Sequence, residues 1–154
     1  MSGKMSKEFY NNMMRDFSES RIIYEGRYIY GDFSWKITEG GILLLKGNGE
    51  MCLAFDGNDE YYGLWLPRRE CVKGIIISSG VIGLQEAIFC GHPALNWIAL
   101  PPGFKLNDKN AEYDDYFDNT QMDTIYGHEN DDSELFANMM KLKFSLLNEG
   151  LKTE

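Results

Sequence analysis

The spacing of apolar residues changes several times along the chain. Met5, Phe9, Met13 and Phe17 recur at every fourth position, the period of one helical face. Ser6 is suited to cap it, so a helix is predicted within residues 1–20. From Arg21 the pattern becomes strand-like. Residues 21–30 are β-branched and aromatic, interrupted at Gly26. In 33–38, Phe33, Trp35 and Ile37 alternate with Ser34, Lys36 and Thr38. Glu39-Gly40-Gly41 then turns the chain into Ile42–Lys46, which predicts a hairpin. Met51, Leu53 and Phe55 alternate once more, and Tyr61, Tyr62 and Trp65 form an aromatic cluster closing on Pro67. Residues 21–71 thus read as a β-rich lead-in.

Residues 72–106 carry a repeat. At an offset of 23 positions Val72 falls on Leu95, Ile75 on Ile98, Ile77 on Leu100 and Gly80 on Gly103. A short apolar strand, a polar or Pro step and a Gly return once per repeat. Units of roughly 20–29 residues with one strand each stack to share a core that no single unit can close. With Ile98 and Leu100 pointing inward, strand alternation points Trp97 and Ala99 outward. An outward Trp is either covered by another segment or open to a partner.

Gly80, Val81, Leu84, Phe89, Gly91, Leu95, Ile98, Leu100 and Pro101 resemble the repeat of the BspA-like bacterial leucine-rich-repeat proteins. Ile88 stands where that family prefers Ala, and His92 where it prefers Cys. The lead-in positions Trp35, Ile37, Gly41, Leu43, Leu45, Gly47, Gly49, Met51 and Trp65 extend the resemblance to about residues 31–106. It implies a truncated member with about one and a half repeats. A fold of this kind hosts many functions and names none.

After Phe104 the repeat pattern is lost, and a repeat end needs a cap. Leu135, Met139, Leu142 and Leu146 make a helical stripe that Phe136, Met140, Phe144 and Leu147 widen. Asp131 or Asp132 is suited to its N-terminus, with Glu134 in capping-box spacing, and Gly150 to its end. A capping helix over 131–150 is the expectation. The predicted class is α+β: one domain over 1–154, with a β-hairpin lead-in and a short leucine-rich-repeat-like β-solenoid segment flanked by N- and C-terminal helices.

Charge changes the picture in one place. Residues 108–134 hold ten acids and one base, Lys109, and carry the whole net charge of −9. The rest of the chain balances, so this is a neutral domain with an acidic segment over 107–134. Its acids interleave with Tyr113, Tyr116, Phe117 and Tyr126, a mixture that suits docking: aromatics anchor and carboxylates steer. Phosphate contacts need clustered Lys and Arg, so direct nucleic-acid binding is disfavoured. No run of 18 apolar residues is present, and the polar start lacks a signal core, so the expectation is a cytoplasmic protein without a membrane span, the alternative being a mature fragment whose signal was removed. Cys52, Cys71 and Cys90 are too few and too far apart for a disulfide framework or a zinc site.

Little in the chain suggests catalysis. Gly47-Asn48-Gly49 is too short for a dinucleotide loop, and Asp56 to Asp59 lacks the further carboxylates of a calcium loop. His92 occupies an inner-ladder position and reads as structural. His128 beside Glu129 suits either a solvated loop or a base or metal ligand. No enzyme activity and no cofactor are expected. The expected function is a protein-interaction module, with Glu112, Asp114, Asp115, Tyr116, Asp118, Asp123 and Trp97 as partner-binding residues. The alternatives are an acidic inhibitor of a basic nucleic-acid-binding protein, of the phage or mobile-element anti-defence kind, and an enzyme with a dispersed site. The Met-rich helical faces are candidates for a homodimer contact.

Overall fold

The computed structural model describes residues 21–28, 32–51, 65–78, 80–84, 89, 91–106, 117 and 119–147. The predicted N-terminal helix lies outside them. The order of elements is β1 (Ile22–Arg27), β2 (Phe33–Thr38), β3 (Ile42–Gly47), β4 (Gly49–Met51), a 3-10 helix (Leu66–Cys71), β5 (Gly74–Ile77), β6 (Val81–Leu84), β7 (Trp97–Ala99), β8 (Thr124–Gly127), α1 (Ser133–Met139) and β9 (Lys143–Leu146). Seven strands form one sheet in the order β1-β2-β3-β5-β7-β8-β9, and β4 pairs with β6 in a second.

The hairpin comes first. β1, β2 and β3 pair antiparallel, with the irregularity of β1 between Ile22 and Tyr24 rather than at Gly26. The Thr38 hydroxyl accepts the Ile42 amide at 3.2 Å across the turn. Gly41 holds φ at +90°, where a side chain would also press on the Cys71 carbonyl.

From β3 onward every neighbour is parallel. Leu43 pairs with Ile75, Ile75 with Ile98, Ile98 with Ile125 and Ile125 with Phe144. The 23-position offset read from the sequence is thus the register between β5 and β7. The ladder is longer than predicted at both ends. β3, assigned to the lead-in, is its first strand. β8 and β9 continue it past Phe104, where the pattern is lost to the eye because only Ile125 of Thr124–Gly127 faces the main core.

A second regularity emerges on the inner side. Trp65, Phe89, Phe117, Phe136 and Phe104 form a continuous aromatic stack, with centroids 6.5, 6.2, 5.9 and 5.5 Å apart in that order. The first four lie at 65, 89, 117 and 136, seven to nine positions ahead of the strands starting at 74, 97, 124 and 143. One aromatic thus precedes each of β5, β7, β8 and β9 and packs in the main core. Phe136 supplies it from α1, the others from turns and coil.

The C-terminal helix over 131–150 is corrected. α1 ends at Met139, because Lys141 enters the left-handed region at φ 61°. The Leu142 amide then donates to the Ala137 carbonyl at 2.9 Å, and the Lys141 amide to Asn138 at 3.1 Å. These are the two bonds of a Schellman stop. Leu142 and Phe144 turn to the main core as β9 begins. Leu142, Phe144 and Leu146 fit a period of two as well as the helical stripe, and pairing with β8 decides between them. Asp132 is the N-cap residue, but its carboxylate makes no capping bond to the helix.

Candidate functional site

The strands of the ladder have two faces. Leu43, Ile75, Ile98 and Ile125 point into the main core with the aromatic stack. Their neighbours in sequence point the other way: Ile42, Ile76, Trp97, Ala99 and Tyr126 form a second apolar cluster with Leu147. Trp97 therefore faces outward as alternation requires, yet it is only 6% exposed. Its indole lies across Gly74, its direct partner on β5, where an added Cβ would overlap the ring. The Tyr126 ring meets it edge-on at 6.1 Å. Trp97 thus packs within the sheet, the covered one of the two readings its outward direction left open.

Burial raises the pKa of the Tyr126 hydroxyl to about 12, with the charge of Asp123 as the smaller cause. Asp123 is the one predicted acidic contact within the described residues. It sits on the surface before β8, 3.6 Å from the Lys143 ammonium, and its other oxygen accepts the Thr124 hydroxyl at 2.7 Å. Glu112, Asp114, Asp115, Tyr116 and Asp118 lie outside the described residues.

The later acids of the segment gather at the end of β8. A cleft of about 470 Å³ is lined by His128, Glu129, Asn130, Asp131 and Glu134, with Phe144 and Leu146 of β9 as its apolar part. Asp131 anchors the local backbone: one oxygen accepts the Ser133 amide and the other the Gly103 amide, both at 2.9 Å. The Asp132 carboxylate accepts the Leu106 amide at 2.9 Å, and the Asp132 amide donates to the Phe104 carbonyl. These bonds tie the start of α1 to the coil after β7. Glu129 and Glu134 are exposed at the same edge. The result is an acidic rim over an apolar patch, suited to the aliphatic stem and charged head of Lys or Arg. The sequence marked His128 and Glu129, but assigning Phe144 and Leu146 to a helix hid the rest of the lining.

His92 is fully buried, and its Nε2 accepts the Trp65 indole N–H at 2.8 Å. That bond places it in the core, as its ladder position predicted. Among the described residues no group of three or more His, Cys, Asp or Glu is arranged to hold a metal ion. No helix among them is long and apolar enough to cross a membrane. Cys71 is an exposed free thiol, while Cys52 and Cys90 lie outside the described residues.

No family model matches this chain, and no curated protein does. Among solved structures, a leucine-rich repeat protein from Eubacterium ventriosum ATCC 27560 superposes with a TM-score of 0.49 at 16% sequence identity. The match covers 78% of this chain and 27% of that protein, so the chain spans about a quarter of its length.

Proposed function

We propose that this chain is a non-catalytic protein-interaction module, a short leucine-rich-repeat-like solenoid of the BspA-like kind that binds a basic protein segment along its acidic edge. The observation that carries the reading is the cleft at the end of β8. Its acids, Glu129, Asp131 and Glu134, stand beside the apolar Phe144 and Leu146. The side chains of Lys and Arg match both parts, and the surrounding charge steers such a partner over a distance set by ionic strength. The parallel register of β3, β5, β7, β8 and β9 supports the solenoid reading, because it makes each strand and its following coil one stacked unit.

The acidic inhibitor is a narrower form of the same reading, in which the basic partner is a nucleic-acid-binding protein. The concentration of the entire net charge in residues 108–134 favours it.

The test is capture of host proteins on the immobilised full chain with elution by a salt gradient, repeated with Glu129→Gln/Glu134→Gln. A basic partner released at moderate salt and lost with the double variant supports the edge as the binding surface. A salt-resistant partner, unaffected by the double variant, overturns it. If the released partner binds nucleic acid and the chain displaces that nucleic acid, the inhibitor form holds.

A further inference from the structure

The corner where β3 hands the chain to β4 carries a reactive pair of residues. Asn48-Gly49 is the only Asn-Gly step in the sequence. An Asn before Gly is open to intramolecular deamidation, because Gly has no side chain to shield its amide nitrogen. The space around Gly49 adds no shield either: a Cβ built there would meet nothing within 4 Å. Asn48 itself is exposed to water. Yet both reacting groups are engaged elsewhere. The Asn48 Nδ2 donates to Asp32 Oδ2 at 2.8 Å, and its Oδ1 rests against Gly80, where an added Cβ would stand 2.7 Å from it. The Gly49 amide, which would be the nucleophile, donates to the Gly80 carbonyl at 2.9 Å. The Asn48 amide donates to the Asp32 carbonyl at 3.2 Å and fixes the residue at its main chain.

We propose that Asn48 is a guarded modification site: Asp32 holds its carboxamide, the bond to Gly80 holds the Gly49 amide, and deamidation proceeds when this corner opens. Local openings of this kind occur well below the cost of global unfolding. In the reaction the Gly49 nitrogen loses its proton and attacks Cγ of Asn48, Nδ2 leaves as ammonia, and a cyclic imide forms. Water then opens the ring at either carbonyl and leaves aspartate or isoaspartate at position 48. No oxidant or reductant is needed. Either product replaces a donor with a carboxylate facing Asp32, so an attractive contact becomes a like-charge one. Isoaspartate also lengthens the main chain between Gly47, which pairs with Phe33 in the large sheet, and Gly49, which pairs with Val81 in the small one. Modification therefore works against the bonds that guarded the site and loosens the joint between the two sheets. The change is covalent, so it outlasts the opening that allowed it.

The experiment follows the full chain in mildly alkaline buffer by peptide mapping with mass spectrometry, which separates aspartate from isoaspartate at position 48. The folded parent is compared with the urea-unfolded chain, with Asp32→Ala, which removes the acceptor, and with Asp32→Asn, whose side-chain carbonyl can still accept the bond. Circular dichroism checks that each variant keeps its strand signal. Conversion should be fastest in the unfolded chain and several-fold slower in the folded parent. Folded Asp32→Ala should convert several-fold faster than the parent, and Asp32→Asn at close to the parent rate. Conversion of the folded parent at the unfolded rate overturns the proposal, as does a folded Asp32→Ala that converts no faster than the parent. No conversion at position 48 in the unfolded chain overturns it too. If Asp32→Ala fails to fold, the ratio of parent to unfolded rates decides alone.

Discussion

The two faces of the parallel ladder are built by alternate residues of the same strands, but the inner face is dry at Leu43, Ile75, Ile98 and Ile125, whereas the outer face is buried only in its middle. The inner face is closed by parts that can be named: the stack from Trp65 to Phe104, the Trp65–His92 bond, and Phe136 and Ala137 of α1. The outer face buries Ile42, Ile76, Trp97, Ala99, Tyr126 and Leu147, while Leu44, Thr124 and Ser145 beside them stay half-buried and Lys143 is exposed. The difference teaches that outward direction in a strand does not mean exposure. Alternation decides the side of the sheet, and what lies above that side decides whether it meets water.

The largest effects come from adjacent residues that separate the faces. Ile75 is wholly buried on the inner face and Ile76 is its outward neighbour. Ile75→Ala should cost about 2–5 kcal/mol in urea unfolding, the range for a buried aliphatic truncation. If the outer face is a second core, Ile76→Ala costs a comparable amount, toward the lower end of that range. If it is open in solution, Ile76→Ala stays within ~0.5 kcal/mol, as at ordinary surface sites. The ratio of the two losses measures how complete the outer cover is.

A smaller change attacks the outer face at its tightest point. Gly in a strand normally weakens it, so Gly74→Ala would ordinarily gain up to about 1 kcal/mol. Here the new Cβ meets the Trp97 indole, which must swing off its partner strand. The sign should reverse, to a loss of about 1–3 kcal/mol. Adding Trp97→Leu should recover part of it, a coupling that a double-mutant cycle reads directly. Additive losses would mean that the indole does not rest on Gly74.

The inner face was also the more legible in sequence. The offset of 23 gave the β5–β7 register residue by residue, and the Phe33/Trp35/Ile37 alternation gave β2. The parallel strands after Phe104 were hidden for two physical reasons. β8 has one main-core residue amid acids that otherwise mark a loop. β9 lies in a run whose apolar positions satisfy both periods, and the stop that ends α1 uses Lys141 where Gly would have signalled it. The regular aromatic ahead of each strand was present at 65, 89, 117 and 136, but variable coil lengths kept it from repeating at one offset. Lys141→Gly tests this account of the stop: relief of the left-handed Lys should stabilise the chain by ~0.5–1 kcal/mol without altering β9. A loss of stability would mean that the Lys side chain contributes more than its backbone strain costs. The acidic cleft was half visible for the same reason as β9, since the sequence supplied its charges but misplaced its apolar part.

The finest probe of the outer face is the Tyr126 hydroxyl, which changes nothing at neutral pH. Its pKa rises from 10.0 to about 12 because burial penalises the phenolate, with Asp123 adding a smaller repulsion. Between those values the unfolded chain has lost the Tyr126 proton and the folded chain has kept it. The folded state then binds more protons, so Tyr126 should make stability fall as pH rises from about 10 toward 12, with no effect below that window. Tyr126→Phe should flatten this part of the pH profile. Asp123→Asn should lower the hydroxyl pKa only in part, since the larger cause is burial. If Asp123→Asn instead restored ordinary tyrosine titration, desolvation would be negligible at Tyr126, and the outer face would be wet at β8 however dry it is around Ile76.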